Sequence, residues 1–120
     1  MPERPAQPRR TAIKRLIDSL AGQEPPFSSL GTPFLVDTEV TEALVRRGKA
    51  AVPALTEALE HGEAKTAMYA AYCLGQIGDS AALPALEATR DRYLAKEPKA
   101  EYDFGVVSAA NRAIEQLQMS

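Results

Sequence analysis

The chain has 120 residues, enough for one domain with a modest core, and its 45% hydrophobic and 25% charged residues are ordinary for a globular protein. No run approaches the roughly 18 uninterrupted apolar residues of a membrane span. One cysteine excludes an internal disulfide, one histidine leaves no His/Cys cluster for a transition metal, and a net charge of -2 argues against general polyanion binding. The absence of Trp and the 6% aromatic content speak against a stacking platform for single-stranded nucleic acid. The N-terminus has charge but no apolar stretch behind it, so no secretory signal is read and the cytoplasm is the expected location.

In chain order, residues 1–10 are expected to form a flexible basic arm, broken by Pro2, Pro5 and Pro8. Arg4, Arg9, Arg10, Lys14 and Arg15 oppose Glu3 alone in the first fifteen residues, a net +4 that leaves -6 on the rest. Such an arm can reach an acidic partner or a phosphate backbone, although a solvated tail needs neither. A single domain is expected over 11–120. It opens with Ile13, Leu16, Ile17 and Leu20 at i, i+3, i+4, i+7, which predicts an amphipathic helix over 11–22 with Gly22 as a left-handed cap. Lys14 and Arg15 lie off its apolar stripe.

Residues 23–36 break helicity through Pro25, Pro26, Gly31 and Pro33, yet Phe27, Leu30, Phe34, Leu35 and Val36 are too apolar for a free linker. The segment is expected to lie over the open end of the domain, with Phe27 and Phe34 as anchors. A partner-binding segment is the rival reading, and Phe34 to Val36 could also pass for a short strand. Asp37 or Thr38 then caps a helix whose face is Val40, Ala43, Leu44 and, more loosely, Arg47, stopped by Gly48. A second helix, about 50–61, carries Val52, Leu55, Ala58 and Leu59 with Pro53 in its first turn. A third, about 63–77, presents Ala67, Ala70, Ala71 and Leu74. A fourth, about 81–96, carries Leu83, Leu86 and Tyr93 or Leu94, and the last, about 103–118, carries Val106, Val107, Ala110, Ala113, Ile114 and Leu117.

These helices repeat. Leu44 and Gly48 fall thirty residues before Leu74 and Gly78, and Val52-Pro53-Ala54-Leu55 falls thirty-one before Leu83-Pro84-Ala85-Leu86. The best-formed copy is Leu74-Gly75-Gln76-Ile77-Gly78-Asp79. It resembles the HEAT-like repeats of the family first noted in bilin lyases, where a turn of the type LG-x-[IL]-GD precedes AVPAL. The likeness covers about residues 37–117, with Val45 and Lys49 standing in for the first glycine and the aspartate upstream. It implies an all-α fold: a short right-handed α-solenoid of about two and a half helical hairpins with an N-terminal helix. It also implies that the second helices line a concave face. That places Thr56, Glu57, Glu60, Glu87 and Asp91 near it, with Arg90 close by, as candidate partner-binding residues for a basic protein segment. Arg90 departs from the pattern, because its upstream counterpart Leu59 is apolar; either the second pair is rotated there, or Arg90 shields apolar surface with its stem.

No catalytic, cofactor-binding or metal-ligating set stands out. His61 beside Gly62 suits the last carbonyls of a helix. Cys73 among alanines suits a small buried hydrophobe, and Tyr69 and Tyr72 suit the edge of a core. Glu57–Glu60 and Glu87–Asp91 are helix-face spacings without an inferable pocket. The expected function is a non-catalytic protein–protein interaction module, a small adaptor or scaffold. The resemblance carries an alternative, an accessory or lyase-like factor of bilin type. Nucleic-acid binding through the arm is a third reading, weakened by the acidic body. A final unit present only as its first helix also allows self-association.

Overall fold

A computed structural model describes residues 8–25, 37–97, 100 and 102–119. The expected basic arm up to residue 7 and the Phe27 to Val36 stretch, including its strand reading, lie outside the described residues. Among the described residues six α-helices follow one another: α1 (Pro8–Leu20), α2 (Glu39–Arg47), α3 (Val52–His61), α4 (Ala64–Ile77), α5 (Leu83–Leu94) and α6 (Asp103–Gln118). Short 3-10 turns over Gly48–Ala51 and Ser80–Ala82 lead into α3 and α5. No strand occurs among the described residues.

Helix α1 begins at Pro8, three residues before the expected start of the domain at Thr11. Proline is preorganised for a first helical turn and lacks only an N–H that has no intrahelical partner there. Its end corrects one expectation. Gly22 is not left-handed; its N–H closes a tight turn on the Ser19 carbonyl at 3.1 Å, so no positive φ is required.

Thr38 caps α2 through a reciprocal box. The Thr41 N–H donates to Thr38 Oγ1 at 3.1 Å, and the Thr38 N–H donates to Thr41 Oγ1 at 2.8 Å. Because its hydroxyl is satisfied there, Thr41 can sit fully buried beside Leu44. Arg47, expected loosely on the inner face, is exposed, and Arg46 and Arg47 instead complement the C-terminal end of the helix dipole.

Helix α4 is buried nearly all round, with Met68, Tyr69, Cys73 and Gly75 joining the expected Ala67, Ala70, Ala71 and Leu74. It is the central element, packing on α1, α2, α3 and most extensively on α6. Gly78, at φ 83°, ends it in the left-handed region that a side chain resists, and Asp79 then accepts from the Ala81 N–H at 3.0 Å. Helices α2, α4 and α6 form one row, α3 and α5 a second, and α1 leans on α2, α3 and α4. The sequence repeat and the packing pairs are out of phase. The turn at Gly78 joins α4 to α5, but the close side-by-side neighbours in sequence are α3 with α4 and α5 with α6.

The inner stripe of α5 is Leu86, Thr89 and Tyr93; Leu94 is exposed. Arg90 is half-buried, its Nε 3.0 Å from Asp91 Oδ1, so the position answering to buried Leu59 sits at the margin of the core. Thr89 lies one step inward, and its Oγ1 is buried without a hydrogen-bond partner among the described residues. An isosteric apolar side chain removes that desolvation penalty, so Thr89→Val is expected to stabilise the protein by about 1 kcal/mol in urea unfolding.

Helix α6 runs over the expected span. Its inner face is Val106, Ala109, Ala110, Ala113, Ile114 and Leu117, while Ser108, Asn111, Arg112 and Glu115 face outward.

Candidate functional site: a cleft between the first and third helices

Between α1 and α3 lies an open cleft of about 810 Å³. Ile13, Ile17 and Ala21 line one wall, and Ala50, Pro53, Ala54 and Ala58 line the other. Charged residues stand on both rims: Lys14 and Asp18 on α1, Glu57 and His61 on α3. Gly62 and Thr66 close the end where α3 gives way to α4.

Sequence alone explains each wall but not their meeting. The α1 stripe holds Ile13 in the core while Ile17 is half-buried and partly open to the cleft. On α3 the i, i+4 series Pro53, Glu57, His61 and the i, i+4 pair Ala54, Ala58 lie beside the buried Leu55–Leu59 stripe. Alanines there were legible as spacing, but nothing in the sequence tells which side of the array α1 covers.

Lys65 decides that. From the first turn of α4 its Nζ donates to the Ala21 carbonyl at 3.1 Å and the Gln23 carbonyl at 2.7 Å, and pairs with Glu24 at 3.1 Å. The same ammonium lies 5.3 Å from the centroid of the Tyr102 ring, just before α6. The end of α1 is thus pinned beside the start of α4, where α3 also ends, and both cleft helices run toward that point. No sequence motif announced this lysine.

The predicted partner-binding residues divide. Glu57 lines the cleft; Glu60 and Asp91 are exposed, and Thr56, Glu87 and Arg90 are half-buried, outside it. His61 is exposed, its Nε2 4.0 Å from Glu60. Glu57 is therefore brought together with α1 rather than with Glu87 and Asp91 on α5.

Chemistry elsewhere is quiet. No group of three or more His, Cys, Asp or Glu residues suited to a metal ion occurs among the described residues. Burial, and secondarily the Asp37 charge, push the Cys73 thiol up to about 12. Burial, and secondarily the hydrogen bond its hydroxyl donates to Asp37, push Tyr72 up to about 12 as well. The unfolded thiol ionises near 9.0 and the unfolded phenol near 10.0. Between those values and 12 the unfolded state binds fewer protons than the folded one, so stability is expected to fall as pH rises from 9 to 12. At pH 8 Cys73 should react with a thiol reagent about a hundredfold more slowly than in the urea-unfolded chain. Equal rates would show the thiol to be accessible.

Residues 67–89, which take in most of α4, the Gly78 turn and the first half of α5, match the family model described as PBS lyase HEAT-like repeat. The chain carries a HEAT-like repeat. No curated protein and no solved structure matches it. The HEAT-like repeat includes Gly75, Gly78 and Pro84 and so accounts for the scaffold, while the cleft lies outside it, on α1 and α3. The protein is an all-α helical-repeat module, and no described helix is long and apolar enough to cross a membrane.

Proposed function

We propose that this helical-repeat protein is a non-catalytic interaction module that holds a protein partner in the α1–α3 cleft. The observation that carries this reading is the cleft itself: an open apolar trough, floored by small side chains and edged by charges of both signs. That combination gives burial for affinity and a polar rim for register. A bilin is a poorer fit to the same trough, because its propionates would meet Asp18 and Glu57, with Lys14 as the one permanent cation on the rim among the described residues. A chromophore absorbance co-purifying with the protein would favour that alternative.

The test is affinity capture from the native extract with the wild-type chain and with Ala54→Arg, which places a long cation in the trough at a half-exposed position. A partner retained by the wild type should be lost or reduced at least tenfold with the variant, while its far-UV circular dichroism is unchanged. A partner retained equally by both would put the binding surface elsewhere.

A further inference from the structure

We propose that the corner where α1 begins and α2 turns into α3 binds an acidic segment of a partner protein. The inference goes beyond the cleft. It uses a different surface, which meets the trough at Lys14, and it holds whatever fills the trough.

Two stretches of the chain hold cations and no carboxylate. Residues 8–17 carry Arg9, Arg10, Lys14 and Arg15, and residues 43–56 carry Arg46, Arg47 and Lys49. Together they contribute +7 to a chain whose net charge is -2, which leaves -9 on all the other residues. The corresponding turn thirty residues on has Asp79 in place of Lys49, so the basic character belongs to the first hairpin and is not a property of the repeat.

The fold joins the two stretches. Lys65 holds the Ala21 and Gln23 carbonyls beside the first turn of α4, which directly follows α3. Helix α1 therefore ends where α3 ends. With Ile13 lining the same cleft as Ala50 and Pro53, α1 begins at the end where α3 begins. Helix α2 finishes there too, because Gly48–Ala51 are all that separate it from Val52, and α1 packs on both α2 and α3. Lys14, Arg15, Arg46, Arg47 and Lys49 are exposed, and none makes an ion pair among the described residues. Asp18 and Glu42 stand one turn from Lys14 and Arg46 and pair with neither. The α2 dipole answers Arg46 and Arg47 in part. A bound anion relieves the remaining repulsion.

Size and surroundings select the anion. Residues 9–15 of α1 rise about 9 Å, and the neighbouring α2–α3 turn stands about one helix spacing, roughly 10 Å, to the side. The corner is thus about 20 Å across, the length of about six extended residues. A nucleic acid runs on past such a corner, and its phosphates then meet the -9 carried by the rest of the chain. Neither stretch holds Phe, Tyr or Trp, so bases find no stacking surface there. A short run of Asp and Glu stays within the corner, and the arginine forks can take its carboxylates two oxygens at a time.

Fluorescence anisotropy with a labelled peptide of about six glutamates tests this, beside its all-glutamine counterpart and a duplex DNA of about twenty base pairs. The glutamate peptide should bind, the glutamine peptide should not, and raising salt from about 0.05 M to about 0.5 M should abolish the binding. Arg47→Glu and Lys49→Glu, both at exposed positions, should each weaken the glutamate peptide about fivefold, and so should Lys14→Glu on α1. Arg112→Glu on the outer face of α6 makes the same change in net charge and should weaken it less than about twofold. Peptide-induced amide shifts should centre on Arg15 and on Arg46 to Lys49, with far-UV circular dichroism unchanged in every variant.

An equal loss with Arg112→Glu would reduce the effect to net charge and overturn the corner as a site. Sensitivity to Lys14→Glu alone would assign the binding to α1 without the α2–α3 turn, which also overturns it. Duplex DNA held more tightly than the peptide, and released by Arg47→Glu, would assign the corner to nucleic acid instead. None of these results touches the cleft, whose own test is Ala54→Arg.

Discussion

Gly75→Leu is expected to lower the unfolding free energy by more than about 3 kcal/mol, read from urea denaturation with the slope held constant. The reason is distance. A Cβ built on Gly75 would lie 2.9 Å from Ala113 Cα and 3.0 Å from Ala113 Cβ, so α4 and α6 touch through a gap that admits no side chain. These two helices make the most extensive contact among the described helices, and α6 cannot retreat without opening the Val106–Ile114 face. Gln116, whose carboxamide also fills the space, can swing away cheaply; the Ala113 backbone cannot. Gly75→Ala divides the effect usefully. It gains about 1 kcal/mol of helix propensity and loses about 1–3 kcal/mol to overpacking. An alanine variant clearly more stable than wild type would show that the close approach is not limiting. Gly78 is a different kind of glycine: nothing lies within 4 Å of its would-be Cβ, and its cost on substitution comes from φ 83° alone.

Asp103→Ala should cost about 2–4 kcal/mol. This carboxylate is 0% exposed at the start of α6, and its oxygens accept from the Ala100 N–H at 2.7 Å and from Lys96 Nζ at 3.1–3.2 Å. It holds the α5–α6 connection against the helix it opens, and its charge suits the N-terminal end of the α6 dipole. Alanine leaves the Ala100 N–H without this acceptor. Asp103→Asn keeps the shape and one acceptor, and should recover part of the loss. If alanine and asparagine cost the same, the charge and not the hydrogen-bond geometry is the source of the stability.

Where the sequence could be read, one residue class carried each reading. Gly78 marked the end of α4 because its backbone is left-handed, Pro53 and Pro84 marked first turns, and the Val106 to Leu117 stripe marked α6, whose observed span is Asp103–Gln118. Burial along α5 followed the repeat less well, because Thr89 and not position 90 faces the core. Nothing in the apolar pattern marks Asp103 or Thr41 as core, for one shared reason: a polar side chain whose partners are local can be buried, and hydrophobic periodicity does not register it. The cleft was not legible at all. Its walls come from α1 and α3, about forty residues apart, and their alignment depends on Lys65 reaching the carbonyls that follow α1. Of the six residues placed on a concave face by family likeness, Glu57 is the one that the tertiary arrangement brings to the cleft, because α1 is an addition to the repeat.

Lys65 has a further effect on how the molecule comes apart. Stacked repeats ordinarily unfold as a line of nearest neighbours, each unit free to melt from an end. Here a single ammonium in the middle helix grips the tail of α1 and lies against Tyr102, just before α6. That cross-tie makes the first and last helices report on each other, and fraying at one end loosens the other. Amide exchange in α1 and in the first turn of α6 should therefore share one opening free energy, and Lys65→Met should split them into two.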